Sequence, residues 1–157
     1  MQGMQTVELE GNPLLLERQV CFALAVANRS VLRIYRRLLA PLGLTHPQYL
    51  VMLALWEEAP LTVKDVGALL QLDSATLSPL LKRLEANGLI ERRRSDDDER
   101  SVEILLTEAG VKLREDALVI PGQVVAALGV DLEVLMELHD VLTRVNAAAL
   151  ASEADLS

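Results

Sequence analysis

Apolar residues recur every three or four positions along most of the chain, in stretches that begin at capping residues and end at proline or glycine. The dipeptide Asn12–Pro13 predicts the start of a first helix over about 14–39. The segment Thr45–Gln48 resembles a capping box and predicts a second helix over about 46–58, which is strongly apolar and should be buried. The pattern therefore predicts a mainly α-helical protein.

The middle of the chain has the pattern of a helix-turn-helix. A bridging strand over 61–62 precedes a short helix that ends at Leu70, and a tight turn follows. Asp73 or Ser74 then caps a second amphipathic helix, which runs to Asn87 and is stopped by the glycine after it. In a helix-turn-helix, this second helix is the one that enters a major groove of DNA.

Two short strands over about 89–94 and 101–107 follow and form a hairpin, which in this position is a wing. A further helix from Glu108 ends near residue 129, and a last helix runs to about residue 151. Both are more apolar than a small winged domain needs. We therefore expect a winged helix-turn-helix with flanking dimerisation helices. The DNA-binding domain is assigned to 46–107, and the dimerisation region to 1–45 and 108–157.

The net charge of −8 argues against a nucleic-acid binder when it is taken over the whole chain. However, residues 101–157 hold ten acidic and three basic residues, whereas residues 29–100 hold ten acidic and eleven basic ones. The acidic excess thus lies mainly outside the predicted DNA-binding segment. The single cysteine excludes an intramolecular disulfide, and no secretory signal or membrane span is predicted. We expect a cytoplasmic protein without cofactor or metal.

The second helix of the helix-turn-helix carries small polar groups near its start and basic groups further along, which suit base edges and phosphates. The candidate DNA-binding residues on this helix are Ser74, Thr76, Ser78, Pro79, Lys82 and Arg83. Pro79 lies inside the helix, where it removes a backbone hydrogen bond and predicts a kink. Such a kink either serves packing alone or aims the preceding hydroxyl groups at the groove.

The predicted wing combines arginines with a run of acidic residues at its tip. The candidate DNA-binding residues here are Arg93, Arg94, Asp98 and Arg100. One hypothesis is that Asp98 holds the guanidinium of Arg100 in a bidentate pair and orients it toward the minor groove. The alternative is that the acidic run is only a solvated hairpin tip.

The residues of this region resemble the MarR transcription regulators. The resemblance covers residues 61–107, LTVKDVGALLQLDSATLSPLLKRLEANGLIERRRSDDDERSVEILLT, and is most specific in TLSPLLKRLEANGLI and DDERSVEILLTEAG. The preceding segment, QVCFALAVANRSVLRIYRRLLAPLGLTHPQYLVMLALW, is similar to the organic-hydroperoxide-sensing branch called OhrR. The resemblance implies a homodimeric repressor, not an enzyme, that binds a pseudo-palindromic operator in double-stranded DNA.

The resemblance also implies a redox sensor, because Cys21 falls at the position of that branch's peroxide-sensing cysteine. The branch surrounds its thiolate with tyrosines, and Tyr35 matches one of them. Two other tyrosine positions differ, since Ala25 and His46 stand there. His46 could replace a phenol as a hydrogen-bond donor or act as a cation beside the thiolate.

Cys21 and Tyr35 are fourteen residues apart on one predicted helix. At the rise of an α-helix this corresponds to about 21 Å along the axis, so the two side chains cannot meet within one chain. If they meet, Tyr35 belongs to the other subunit, and the sensor requires the dimer. Cys21 is also expected beyond the first helical turn, where the helix dipole alone should not activate it.

The sequence therefore predicts a repressor that leaves DNA when an organic hydroperoxide oxidises Cys21 to a sulfenic acid. With one cysteine, the next step is a mixed disulfide with a small thiol, a sulfenamide or overoxidation. The alternative is a MarR-type repressor with an inert Cys21, released by a small anionic or phenolic ligand that faces Arg29, Arg33 or His46. Two other functions are less favoured. A thiol peroxidase would need a resolving cysteine, and the sequence has only one cysteine. A module that binds only proteins would not retain DNA at low salt.

Overall fold

The computed structural model describes residues 6–155, so residues 1–5 and 156–157 of the expected dimerisation region lie outside it. Within the described range the chain is mainly helical, with a small sheet in its middle. The elements are α1 (Val20–Leu39), α2 (His46–Glu57), β1 (Leu61–Thr62), α3 (Val63–Leu70), α4 (Ser74–Ala86), β2 (Ile90–Arg94), β3 (Val102–Leu106), α5 (Glu108–Ala117), α6 (Ile120–Leu128) and α7 (Leu132–Asp155).

The first helix begins later than the sequence predicts. Asn12 Oδ1 accepts a hydrogen bond from the backbone N–H of Leu14 at 3.0 Å, but this turn does not continue as an α-helix. A 3₁₀ turn over Leu16–Arg18 follows, and the extended backbone of Gln19 separates it from α1. The predicted start was wrong because the Gln19 amide donates to carbonyl groups of the upstream turn and so stabilises that turn as a separate unit.

The winged helix is confirmed. Its three strands are antiparallel in the order β1-β3-β2, and Arg92 lies opposite Ile104 in the hairpin. The capping box at the start of α2 and a second one at the start of α3 are both formed. At the start of α4 the cap is Asp73, whose carboxylate accepts a hydrogen bond from the backbone N–H of Thr76 at 2.7 Å. Local side-chain caps thus fix where the helices of the helix-turn-helix begin.

The core lies between α2, the helix-turn-helix, the sheet and the short helices α5 and α6. Its largest fully buried side chains are Leu39, Val51, Met52, Leu55, Val66, Leu77, Leu81, Leu84, Ile90, Ile104 and Ile120. The Trp56 indole N–H donates to the carbonyl oxygen of Gly110 at 2.9 Å and joins α2 to α5. The winged domain is therefore packed directly onto the first helices that follow it.

The helix predicted from residue 108 to residue 129 is broken into α5 and α6. Pro121 lacks the backbone N–H that would donate to the carbonyl of Ala117 in a continuous helix. The backbone N–H of Leu118 bonds to the carbonyl of Glu115 instead, at 3.4 Å, and helical pairing restarts at Ile120. The last helix is longer than predicted, because it reaches Asp155.

Both ends of the described chain expose apolar side chains. Residues 20–29 of α1 are all exposed, and α7 contains no buried residue. The exposed apolar side chains here are Val20, Phe22, Leu24 and Val26 of α1 and Leu132, Val134, Met136, Leu138, Val141, Val145 and Leu150 of α7. Within residues 6–155 no single helix has the length and apolar composition of a membrane span, although two bent helix pairs reach those limits.

Candidate DNA interface and sensor site

Helix α4 divides into a buried face and an exposed face. Leu77, Leu81 and Leu84 lie in the core and hold the helix against the domain. The opposite face carries the sequence-predicted residues Ser74, Thr76, Pro79, Lys82 and Arg83, all of them exposed. Ser78, the remaining candidate on this helix, is half-buried and therefore less accessible than these five residues. Helix α4 therefore presents hydroxyl groups near its N-terminus and two cations further along.

Pro79 does not interrupt α4, which runs as one helix from Ser74 to Ala86. The missing N–H of Pro79 leaves the carbonyl of Ala75 without its helical donor, and this carbonyl belongs to an exposed residue. Water can therefore satisfy it, which explains why the helix tolerates a proline. Whether Pro79 also aims the hydroxyl groups of the first turn stays a prediction.

An open groove of about 840 Å³ lies between the helix-turn-helix and the wing. Helix α3 and the N-terminus of α4 form one side of it, through residues that include Lys64 and Ser74. The wing forms the other side, through residues that include Asp98 and Arg100. The fold thus brings together Ser74, Asp98 and Arg100, three of the residues that the sequence analysis assigns to DNA binding.

The predicted bidentate pair between Asp98 and Arg100 is not present among the described residues. Asp98 Oδ1 instead accepts a hydrogen bond from the backbone N–H of Arg100 at 3.0 Å. The backbone N–H of Ser101 bonds to the carbonyl of Asp98 at 2.9 Å in the same turn. Asp98 therefore shapes the hairpin tip through the backbone, as Asp commonly does in turns, and the guanidinium of Arg100 stays available.

Two other wing arginines form ion pairs that were not predicted from the sequence. Arg92 Nε lies 2.7 Å from Glu85 Oε2 on α4, and Arg93 Nε lies 3.5 Å from Glu103 Oε2 on the facing strand. The Arg93–Glu103 pair follows from the register, because the two residues are directly opposite. The Glu85–Arg92 pair spans seven residues across a turn, so no helical or strand periodicity could have revealed it.

Hydrogen bonds lower the pKa of two carboxyl groups at the ends of α4, Asp73 and Glu85. The hydrogen bond from Arg92 holds the pKa of Glu85 below its ordinary value, and Glu85 in turn raises the pKa of Arg92. The pKa of Asp73 is lowered by the hydrogen bond from the backbone N–H of Thr76. Asp73 is therefore an ionised cap at the N-terminus of α4, where a negative charge is favourable.

Cys21 is the second residue of α1 and its side chain is exposed. The expectation that it lies beyond the first helical turn was wrong, because α1 begins at Val20 and not near Pro13. In the first turn the helix dipole favours a negatively charged side chain. Cys21 and Tyr35 do lie on the same helix, as predicted, so they do not meet within one chain.

Tyr35, His46 and Tyr49 form an aromatic cluster between α1 and α2. The centroids of the Tyr35 and His46 rings are 4.6 Å apart, and Tyr49 lies 6.0 Å from Tyr35. Burial raises the pKa of both tyrosines and lowers the pKa of His46. All three rings are thus neutral near pH 7, which favours His46 as a hydrogen-bond donor over a cation. Tyr49 is buried, as predicted for the apolar second helix, but its contacts with the rings of Tyr35 and His46 were not predicted from the sequence.

A cavity of about 330 Å³ lies beside this cluster, and its lining includes Leu32, Arg36, Leu44 and His46. Arg36, which is exposed, and His46, which is half-buried, contribute polar groups to this cavity, and Leu32 and Leu44 contribute apolar ones. Within the described residues, no group of three His, Cys, Asp or Glu side chains is placed to hold a metal ion.

A helix-turn-helix with an adjacent β-hairpin defines a winged-helix protein. Residues 33–117 of this chain match the protein family described as "Transcriptional regulator SarA/Rot". The chain is similar to the organic hydroperoxide resistance transcriptional regulator of Bacillus subtilis, with 53% identity over 109 residues, 69% of this chain and 74% of the relative.

The chain is also similar to transcription regulators whose structures have been solved. The chain is similar to reduced AbfR bound to DNA, with 34% identity, a TM-score of 0.67 and coverage of 83% of this chain and 94% of that chain. That protein comes from Staphylococcus epidermidis. This chain is also similar to a MarR-family regulator from Rhodococcus sp. RHA1, with 28% identity and a TM-score of 0.72. The match covers 84% of this chain and 95% of that chain.

The chain belongs to the SarA/Rot transcriptional regulators, which are MarR-like winged-helix proteins. This assignment confirms the resemblance to MarR regulators and to the organic-hydroperoxide branch that the sequence analysis states. It also identifies the protein as a transcription regulator and not an enzyme.

Proposed function

We propose that the protein is a homodimeric DNA-binding repressor whose affinity for its operator falls when Cys21 is oxidised. Residues 46–107 form the DNA-binding domain, and the flanking segments 1–45 and 108–157 form the dimerisation region. The exposed polar and basic face of α4, continued across an open groove by Arg100 of the wing, carries this proposal. The similarity to reduced AbfR bound to DNA supports it.

The DNA contacts divide between the two elements. Ser74 and Thr76 lie at the N-terminus of α4, where base edges are within reach of short side chains. Lys82 and Arg83 follow on the exposed face and suit phosphates. On the wing, Arg94 and Arg100 lie outside the ion pairs found among the described residues, so their charges are free for the DNA backbone, whereas Arg93 is partly engaged by Glu103.

Dimerisation is supported by the apolar surfaces at both ends of the chain. An apolar groove of about 570 Å³ lies between α1 and α7, lined by residues that include Leu24, Leu138 and Leu142. Side chains of this kind are costly to leave in water over a contiguous surface. A second copy that packs against α1 and α7 buries them and sets the spacing of two α4 helices for a pseudo-palindromic operator.

The sensor proposal rests on Cys21 being exposed in the first turn of α1 and on its distance from Tyr35 along that helix. In the dimer, Tyr35 and His46 of one subunit complete the surroundings of Cys21 of the other. The Cys21 thiolate attacks the terminal oxygen of an organic hydroperoxide. The S–O bond forms as the O–O bond breaks, and the alkoxide leaves as the alcohol after it takes up a proton. The sulfur is oxidised by two electrons to the sulfenic acid.

The sulfenic acid can then condense with a small thiol, which releases water and forms a mixed disulfide. The sequence offers no second cysteine for an intramolecular disulfide. The added group is bulky and lies on the helix that contributes to the proposed dimer contact. It therefore changes the spacing of the two DNA-binding domains and weakens operator binding.

The DNA-binding part of the proposal is tested by selecting duplexes from a random-sequence library with the reduced, full-length protein. We expect enrichment of a pseudo-palindromic site and a dimer in the complex, measured by light scattering. Retention of no duplex at low salt would contradict the proposal. A monomer bound to a single half-site would contradict the dimeric arrangement.

The in-trans arrangement of the sensor is tested with mixed dimers of Cys21→Ser and Tyr35→Phe subunits. If Tyr35 serves the partner's Cys21, the mixed dimer contains one intact site, and its Cys21 is oxidised at the wild-type rate. If Tyr35 acts within its own chain, the same Cys21 is oxidised at the slower rate of the Tyr35→Phe homodimer.

A second candidate function is release by a small anionic or phenolic ligand, with Cys21 inert. The cavity beside His46 favours it, because Arg36 can face an anion while Leu32 and Leu44 offer apolar contact. Arg29 and Arg33 lie on the same helix and are also exposed. DNA release by salicylate from both the wild-type protein and Cys21→Ser, without release by peroxide, would favour this candidate.

A further inference from the structure

Glu85 and Arg92 connect the end of helix α4 to the first strand of the wing. Arg92 Nε donates to Glu85 Oε2 over 2.7 Å, and the two side chains are 29% and 42% exposed for Arg92 and Glu85, respectively. Between them lie a turn over 87–89 and the buried side chain of Ile90. The ion pair therefore closes a small ring across the junction between helix and strand.

The direction of the Arg92 side chain follows from the strand. Ile90 and Arg92 are two residues apart on β2, so they lie on the same face, and Ile90 belongs to the core that contains α4. Arg93 points to the other face and pairs with Glu103 across the hairpin. Arg92 is thus turned toward α4, while its neighbour stabilises the hairpin itself.

The backbone turn between α4 and β2 does not by itself fix the angle between the helix and the strand. The backbone N–H of Gly88 bonds to the carbonyl of Glu85 at 2.9 Å, and that of Leu89 bonds to the carbonyl of Leu84 at 3.0 Å. Gly88 has a positive φ of 74°, which a glycine adopts without strain but does not lock. A side-chain link on the far side of this turn restricts the angle between α4 and β2 more than the turn alone does.

We propose that Glu85 is a positioning residue for DNA binding, which acts through Arg92 to fix the wing relative to α4. This inference rests on the proposed DNA-binding function. A winged helix that inserts α4 into one groove and its wing into another needs both elements in register with the duplex at once. Glu85 does not contact DNA; it keeps the two contacting elements at the distance that one duplex requires.

The sign of the effect separates this role from simple electrostatics. Glu85 is a negative charge close to the proposed DNA surface, so removing it should tighten binding if only charge matters. Positioning predicts the opposite, because loss of the ion pair frees the wing. Glu91 offers a matched control, since it is an exposed acid on the same strand and lies outside the ion pairs found among the described residues.

The experiment measures binding of a fluorescein-labelled duplex, selected by the wild-type protein, to the wild-type protein, Glu85→Ala and Glu91→Ala at several salt concentrations. We expect Glu85→Ala to weaken affinity by roughly three- to thirtyfold, with an unchanged slope of log affinity against log salt. Glu91→Ala should bind as tightly as wild type or more tightly. Equal affinities for Glu85→Ala and Glu91→Ala would overturn the inference.

Two further variants guard against a folding defect. Glu85→Gln keeps a side-chain carbonyl that accepts from Arg92 and should retain most of the affinity. The charge-swapped double variant Glu85→Arg with Arg92→Glu restores the pair and should restore binding. A folded swap that does not bind would show that Arg92 contacts DNA itself and would overturn the positioning role. If the wild-type protein selects no duplex, the proposed function fails and this inference fails with it.

Discussion

The ring of Tyr35 on α1 lies against the ring of His46 on α2, with centroids 4.6 Å apart and planes inclined by 59°. Because this contact and its surroundings remove His46 from water, the pKa of His46 is lowered from its ordinary value of 6.5. The folded state therefore binds fewer protons than the unfolded chain at pH values between the two pKa values. The contribution of neutral His46 to the free energy of unfolding is fully present above pH 6.5 and is lost as the pH falls toward the lowered pKa.

This contact predicts a pH-dependent stability that a substitution of His46 removes. Between about pH 7.5 and about pH 5.5, the melting temperature of the wild-type protein should fall more than that of His46→Asn. His139 is present in both proteins, so the difference isolates His46. Parallel pH profiles for the two proteins would show that His46 is not held neutral by the fold.

The backbone of α5 is packed so closely at Gly110 that any side chain there should destabilise the fold. A Cβ atom at Gly110 would overlap the carbonyl oxygen of Leu89, which is backbone and cannot move aside. Gly110→Ala should lower the free energy of unfolding by about 1–3 kcal/mol, although alanine is the better helix former. Urea denaturation followed by circular dichroism measures this change.

Gly122 provides the matched control, because a Cβ there meets no atom of residues 6–155 within 4 Å. Gly122→Ala should raise the free energy of unfolding by about 0.5–1 kcal/mol, as expected for a helical position. If both substitutions stabilised the protein equally, the contact between Gly110 and Leu89 would not be a feature of the fold.

The guanidinium of Arg100 forms no ion pair within residues 6–155, and this predicts a change in the salt dependence of DNA binding. Arg100→Ala should reduce the magnitude of the slope of log affinity against log salt by about 0.9 for each phosphate contact that is lost. Arg114→Ala removes the same charge from α5, away from the groove, and should leave the slope unchanged. An unchanged slope in Arg100→Ala would place the wing tip away from the DNA backbone.

Much of the fold could be predicted from the sequence because its signals are local. Thr45, Thr62 and Asp73 cap helices through hydrogen bonds to residues three positions later, and such spacing is visible in the sequence. The hairpin was predictable from the alternation of apolar residues around Ile104. These elements together were sufficient to predict a winged helix.

The features that were missed depend on competition between groups or on contacts across a turn. The start of α1 is delayed because the side chain of Gln19 bonds to upstream carbonyls, which no propensity reveals. Asp98 accepts a hydrogen bond from the backbone N–H of Arg100 and not from its guanidinium, because a short Asp side chain reaches backbone groups of its own turn. The Glu85–Arg92 pair exists only once α4 and β2 are folded against each other.

The central claim, that oxidation of Cys21 controls DNA binding, is tested most directly with cumene hydroperoxide. Anisotropy of a labelled, selected duplex is measured with the wild-type protein and Cys21→Ser, before and after one equivalent of peroxide, while intact mass follows the added oxygen. We expect the wild-type protein to gain one oxygen at Cys21 and, when a small thiol is added, to exchange that oxygen for a disulfide-linked thiol with release of water. The modified wild-type protein should lose the duplex, whereas Cys21→Ser stays bound. Equal release of both proteins, or continued binding by wild-type protein fully modified at Cys21, would contradict the account.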